Sequence, residues 1–123
     1  MVTLTKENYD KTVQDNEIVV IDFWAEWCGP CRIFGPIFQK TSEKYPEITF
    51  AKLDTQEETG ISDHYFIQNI PTTVLLKEKT VIFKKPGLLS EEELIDLIEQ
   101  AKGMDMEKFR AEKAAKKAAR KRK

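Results

Sequence analysis

The sequence has 123 residues, of which 41% are hydrophobic and 33% are charged, and its formal net charge is −1. A chain of this length can bury a core of its own, so one domain that needs neither disulfides nor metals to fold is expected. No apolar run approaches the ~20 residues that span a bilayer. Residues 1–8 also lack the basic and apolar segments of a signal peptide. We therefore expect a cytoplasmic protein without a membrane span.

The charge is divided unevenly along the chain. Residues 1–102 carry 11 basic and 18 acidic side chains, a net charge of −7, whereas residues 103–123 carry 9 and 3, a net charge of +6. This change in composition predicts an acidic domain over 1–102 and a basic C-terminal extension over 103–123.

The first elements predict a buried central strand. Residues 2–4 resemble a short strand, and Thr5 is placed to cap a helix that runs to about Val13. Residues 18–24 are apolar at both alternating positions, which is typical of a strand covered by helices on both sides.

Cys28 and Cys31 follow that strand and are the only cysteines. A disulfide that closes so small a loop adds only ~2 kcal/mol on the chain-entropy model. Structural disulfides are also rare in the cytoplasm, so a bond that is made and broken is the better interpretation. The alternative is a structural or zinc-binding pair, but zinc requires about four ligands and only His64 remains as a further imidazole or thiol ligand. We predict no metal site.

Alternating helices and strands follow the cysteines. The predicted order βαβαβαββα implies a mixed sheet between helix layers. The first element is a helix to about Lys44 that contains Pro36 and turns four apolar side chains to one side, Ile33, Phe34, Ile37 and Phe38. The elements after it are a strand over 48–54, a helix over 57–66 and strands over 72–77 and 81–83. The last is a helix that runs from the capping box at Ser90 to Gly103.

The motifs of this chain resemble those of the thioredoxin family over roughly residues 2–102. The resemblance rests on Trp27-Cys28-Gly29-Pro30-Cys31 after the buried strand, on Ile70-Pro71-Thr72 and on Gly87. It implies the thioredoxin fold, a central mixed sheet flanked by helices on both faces. It also implies a protein-disulfide reductase whose dithiol is restored by an NADPH-dependent thioredoxin reductase.

The position of Cys28 at the start of a helix gives a physical reason for reactivity. Unpaired N–H groups and the helix dipole favour a thiolate there. In such motifs, for which thioredoxin itself is the standard example, the thiol pKa falls from ~8.5 to about 7. Pro30 suits the first helical turn, and Cys31 follows one turn inward. We predict that Cys28 attacks the substrate and that Cys31 resolves the mixed disulfide, the roles that the resemblance also implies.

Asp22 is a carboxylate within the apolar strand. Burial there costs several kcal/mol unless the group is paired or protonated, and Lys52 on the adjoining strand is the predicted partner. From the residues alone a structural role is favoured. The resemblance instead implies a buried general base with a raised pKa that takes the proton from Cys31 through water.

The resemblance also implies a substrate surface. The Ile70–Pro71 bond is expected to be cis, and the Ile70 backbone is expected to pair with an extended substrate segment. A flat apolar rim around it would consist of Trp27, Gly29, Pro30, Pro71 and Gly87, with Pro86 as a less typical member and Trp24 in the core.

The basic extension lies outside this resemblance. Asp105 is placed to cap a helix, and residues 111–120 have high helix propensity. One interpretation is a solvated helix whose Met106 and Phe109 contact the body or a neighbouring chain. The other is a tether in which residues 108–123 bind an anionic partner such as nucleic acid through its backbone.

Two functions therefore remain open from the sequence. The first is a disulfide reductase that acts on disulfide-containing proteins and needs no bound cofactor of its own. The alternative is a binding module in which the fold is a docking surface and the basic tail supplies the affinity.

Overall fold

The computed structural model describes residues 1–121 and contains five strands and five helices over that range. They are β1 (Val2–Thr3), α1 (Tyr9–Asp15), β2 (Ile18–Trp24), α2 (Gly29–Glu43), β3 (Thr49–Asp54), α3 (Thr59–His64), β4 (Thr72–Lys77), β5 (Thr80–Pro86), α4 (Glu91–Gly103) and α5 (Met106–Lys121). Arg122 and Lys123, the end of the predicted extension, lie outside the described residues.

The strands form one mixed sheet in the order β1-β3-β2-β4-β5. Strand β3 is parallel to both β1 and β2, whereas β4 is antiparallel to β2 and to β5. The predicted mixed sheet is therefore confirmed, and β2 is its central strand.

Alternate residues of β2 belong to two different cores, one on each face of the sheet. Ile18 and Val20 pack with the buried side chains of α2 and α4. Val19, Ile21 and Phe23 pack on the other face, where α1 and α3 contribute their apolar residues. Helices cover both faces, as the apolar run in β2 predicted.

Two local predictions were wrong. The first helix begins at Tyr9 rather than after Thr5, because the Asn8 side chain accepts a hydrogen bond from the Thr5 backbone at 2.8 Å and residues 6–8 form a turn. Ile33 is 58% exposed rather than inward, whereas Phe34 and Phe38 are fully buried. Neighbouring helical residues are about 100° apart, so the face that buries Phe34 turns Ile33 to solvent.

The β4–β5 hairpin turns tightly through Glu78 and Lys79. Both have a positive φ, 49° and 68°, which is the geometry of the two-residue turn that suits the twist of paired strands. The Glu78 backbone also donates to the Glu17 carbonyl at 2.8 Å. This end of the sheet is therefore well defined although the turn lacks Asn-Gly.

No helix within residues 1–121 combines the length and the hydrophobicity needed to cross a membrane.

Candidate active site at the start of helix α2

The two cysteines lie where the chain leaves the central strand and enters α2. Cys28 is the N-cap residue of this helix, with φ −90° and ψ 114°, and Cys31 lies in its first turn. The two sulfurs are joined as a disulfide, with the Cα atoms 5.2 Å apart. The Cys31 backbone N–H donates to the Sγ of Cys28 at 3.2 Å. The Cys28 sulfur therefore occupies the position in which side chains satisfy the free donors of a helix start.

Burial does not distinguish the two cysteine residues. Cys28 is 4% exposed and Cys31 is 5% exposed, and both belong to a small apolar cluster with Ala25, against which Trp24 and Ile70 pack. The two cysteines differ instead in their positions at the helix start, because Cys28 is the N-cap residue and Cys31 lies within the first turn.

A second segment approaches Cys28 from the beginning of β4. The Ile70–Pro71 peptide bond is cis, as predicted. The Ile70 carbonyl oxygen lies 3.7 Å from the Sγ of Cys28. The Pro71 carbonyl in turn accepts from the Gly87 backbone at 2.8 Å. Gly87 has a φ of +97°, a conformation that favours glycine, so the end of β5 is joined to the same site.

The predicted rim is only partly exposed. Trp27 is 68% exposed, and Gly29 and Pro30 are also exposed, whereas Pro71 is buried. Pro71 can therefore offer a partner little of its side chain.

Two further exposed apolar side chains are close in the chain to residues of the site. Ile33, two residues after Cys31, and Leu88, directly after Gly87, are 58% and 45% exposed. Sequence reasoning missed them because an apolar residue in a helix or at a strand end is ordinarily interpreted as core. Their nearness in the chain to the cysteines and to Gly87 was the available signal.

Asp22 is completely buried in β2, between Lys52 of β3 and Thr73 of β4. Within residues 1–121, neither carboxylate oxygen has a hydrogen-bond partner, and the same holds for Thr73 Oγ1. Burial raises the pKa of Asp22 to about 7, and the charge of Lys52 acts in the opposite direction. The sequence did not single out Thr73, since a threonine is common in strands.

Lys52 is the register partner of Asp22, as predicted, but makes no direct ion pair with it within 4 Å in the described part of the chain. Its Nζ lies 5.2 Å from the centroid of the Trp24 ring. A groove of about 470 Å³ opens beside Cys31, and its lining includes Trp24, Arg32, Gly35 and Lys52. The Lys52 ammonium therefore borders a solvent-accessible groove next to Cys31.

Residues 1–121 hold no group of three or more His, Cys, Asp or Glu side chains arranged to bind a metal ion. His64 is exposed, and its ring packs edge-on against Tyr65.

Comparison with known proteins identifies the family. The family model described as Thioredoxin matches residues 1–100. The chain belongs to the thioredoxin family. A Streptomyces coelicolor protein assigned by name to the thioredoxins is 48% identical over 109 residues, which cover 89% of this chain and 81% of the relative. Thioredoxin from Mycoplasmoides gallisepticum is 37% identical over 93 residues, 76% of this chain and 93% of that protein.

Solved structures agree with this assignment. The X-ray structure of Fasciola hepatica thioredoxin superposes with a TM-score of 0.77 at 30% identity, over 82% of this chain and 99% of that one. The thioredoxin fold and family predicted from the motif are thus confirmed. The chain is a thiol–disulfide oxidoreductase that reduces disulfides through its cysteine pair, and the binding-module alternative is not favoured.

The raised pKa of Asp22 predicts a pH-dependent gain of stability for Asp22→Asn. An unfolded Asp has a pKa of ~3.9, so from about pH 4 to pH 7 the folded state holds a proton that the unfolded state has lost. The parent therefore loses stability as pH rises through this window, by an amount on the order of 4 kcal/mol. The asparagine variant binds no such proton and does not lose stability in this way.

Urea unfolding of both oxidised proteins at acidic and mildly alkaline pH measures the effect. We expect the variant's advantage in free energy of unfolding to grow as pH rises. Asp63→Asn, at an exposed position, controls for the loss of a carboxylate. An advantage of Asp22→Asn that stays constant with pH would contradict the assignment.

Proposed function

We propose that this thioredoxin-family protein reduces disulfides of substrate proteins in two exchange steps. The Cys28 thiolate attacks one sulfur of the substrate disulfide, forms a mixed disulfide and releases the first substrate thiolate. Deprotonated Cys31 then attacks Sγ of Cys28. This step restores the Cys28–Cys31 disulfide, releases the second substrate thiolate and completes the transfer of two electrons.

The observation that carries the assignment of Cys28 is its place at the N-cap of α2. The Cys31 N–H points at its Sγ from 3.2 Å, and the helix dipole has its positive end there. Both interactions favour the thiolate over the thiol, and the thiolate is the attacking species. Cys31 lies within the helix and has no equivalent position.

Asp22 is proposed as the general base for Cys31. Resolution requires the Cys31 thiol to lose its proton inside an apolar cluster, where a bare thiolate is unfavourable. Asp22 lies on the α2-facing side of β2, and its pKa of about 7 suits proton exchange near neutral pH. Its carboxylate has no fixed partner within residues 1–121 and can take the proton through water. Lys52 partners Asp22 by limiting the rise of its pKa.

The substrate is proposed to bind across the surface where α2, the start of β4 and the end of β5 meet. An extended substrate segment would pair with the Ile70 backbone beside Pro71, as a short added strand. Trp27, Gly29, Pro30 and Gly87 would border this segment. Ile33 and Leu88 enlarge the exposed apolar surface and thereby favour an apolar residue next to the substrate cysteine.

The regenerating partner is proposed to be an NADPH-dependent thioredoxin reductase in the cytoplasm. The chain would then act as an electron carrier between that flavoprotein and its substrates. The composition of the chain and family membership support this proposal.

Single cysteine variants test the assignment of the two thiols. With dithiothreitol as reductant, we expect the parent to accelerate the reduction of insulin disulfides and Cys28→Ser to lose this acceleration. Cys31→Ser keeps the attacking thiolate but cannot resolve, so after reduction and removal of dithiothreitol it should accumulate mixed disulfides that non-reducing gels reveal. If Cys28→Ser accumulated mixed disulfides and Cys31→Ser did not, the assigned roles of the two cysteines would be reversed.

Asp22→Asn tests the general base by separating the two steps. Removing a positioned base is expected to slow resolution on the order of 10²-fold near neutral pH while the first attack by Cys28 changes little. Stopped-flow mixing of the reduced protein with a chromogenic disulfide resolves both phases. The parent's resolution rate should rise with pH through about 7, and the variant's should lack that rise. Equal resolution rates for the parent and the variant would exclude the role.

A further inference from the structure

The C-terminal helix α5 is anchored where it begins. Met106 is 3% exposed, so the first turn packs against the body. Asp105 caps the helix, because its Oδ1 accepts from the Lys108 backbone at 3.1 Å and its carbonyl accepts from Phe109 at 2.9 Å. The start of this helix is therefore ordered by contacts and not only by propensity.

Two basic side chains, Arg110 and Lys77, form hydrogen bonds between the start of α5 or the residues before it and the end of the β4–β5 hairpin. The Nη2 of Arg110 donates to the Glu78 carbonyl at 2.8 Å and to Thr80 Oγ1 at 3.3 Å, and its Nη1 lies 3.3 Å from Glu78 Oε1. The Lys77 side chain is buried and donates to three carbonyls at the end of α4 and in the α4–α5 connection. These are the carbonyls of Ala101 at 2.7 Å, Lys102 at 3.2 Å and Met104 at 2.8 Å.

The outer turns of α5 carry a stripe of positive charge. All residues from 111 to 120 are exposed. At about 100° per residue, the four members of the basic stripe, Lys113, Lys116, Lys117 and Arg120, fall within one arc of about 100°. Alanine occupies most of the other positions around the helix in these turns, at 111, 114, 115, 118 and 119.

The stripe is unfavourable for the free helix. Four pairs of its members are three or four residues apart, and like charges at these spacings destabilise a helix. No member makes an ion pair within 4 Å in the part of the chain that the structure describes. A polyanion that lies along the stripe would remove this repulsion.

We infer that the basic stripe of α5 binds the phosphate backbone of double-helical nucleic acid. Residues 113–120 rise by about 10 Å along the axis, whereas duplex DNA presents one charge per ~1.7 Å, so several phosphates lie within reach of the four cations. A membrane surface fits less well, because helices that lie in the interface insert large apolar side chains and the opposite face here is alanine.

The helix that carries this surface is anchored at the opposite end of the sheet from the cysteines. In the β2–β4 register, Lys77, next to the anchoring hairpin, pairs with Ile18 at the start of β2. Cys28 follows the other end of that seven-residue strand, which is about 20 Å away. A duplex bound to the stripe would leave the active site open, so the inference goes beyond the proposed function and does not depend on it.

A pair of charge-matched triple variants of the full chain tests the inference. One, Lys113→Gln/Lys117→Gln/Arg120→Gln, removes three charges of the stripe. The control, Lys6→Gln/Lys11→Gln/Lys108→Gln, removes three exposed charges elsewhere, one of them on another side of α5. Fluorescence anisotropy with a labelled DNA duplex of two helical turns measures binding between about 50 and 200 mM salt.

We expect the parent to bind with a steep salt dependence. The stripe variant should bind at least about tenfold more weakly at the lower salt, with a salt slope reduced by about three, whereas the control should change less than about threefold. Insulin reduction should be the same in all three proteins, which separates this inference from the redox function.

Absence of duplex binding by the parent at low salt would overturn the inference. Equal losses in the two triple variants would also do so, because binding would then depend on net charge alone. Tighter binding of the parent to phosphatidylserine vesicles than to the duplex would assign the stripe to a membrane surface instead.

Discussion

The contact between the first turn of α2 and the Cys28 sulfur is the interaction on which the site depends. The helix begins where β2 leaves the sheet, and β2 is held between two apolar cores. The position of the start of α2 is therefore determined by the packing of β2 on both faces of the sheet. Because the disulfide closes a loop of only about four residues, its opening removes little of the stability of the domain. The pair can be oxidised and reduced while the scaffold that orients the Cys28 sulfur stays folded.

The fold also maintains an energetically unfavourable group within β2, the strand that precedes this contact. Asp22 has no hydrogen-bond partner within residues 1–121 and lies opposite Thr73, whose hydroxyl also has none. A buried carboxylate without partners costs stability, and proteins tolerate such conflicts mainly where function requires them. The proton that Asp22 binds near neutral pH is the property that a base for Cys31 needs.

Sequence reasoning succeeded where a local pattern determines the structure. The apolar run 18–24 predicted the central strand, and the capping box at Ser90 forms with Glu93 through bonds of 3.0 and 3.1 Å. It failed at Ile33, because an apolar residue in a helix ordinarily predicts burial in the core. It also failed at Thr5, because the Asn8 side chain orders the preceding turn instead.

Contacts between distant residues could not be predicted from local patterns. The bonds from Lys77 to the end of α4 join residues 24 to 27 positions apart, and those from Arg110 to Glu78 span 32. In the sequence these cations were parts of a strand and of a basic tail. The same limit applies to the groove beside Cys31, whose lining comes from β2, α2 and β3. The sequence suggested that Met106 contacts the body, but only the packed structure shows that Arg110 bonds to the hairpin and that Lys52 borders this groove.

The pKa of the Cys28 thiol tests the central claim most directly. Cys31→Ser leaves the backbone N–H at position 31 in place and removes the second thiol, so the ultraviolet absorbance of the thiolate reports Cys28 alone. If the start of α2 stabilises the thiolate, the midpoint should lie well below the ordinary value of ~8.5, near 7. A midpoint at or above ~8.5 would show that the helix start does not activate Cys28 and would contradict the proposed role.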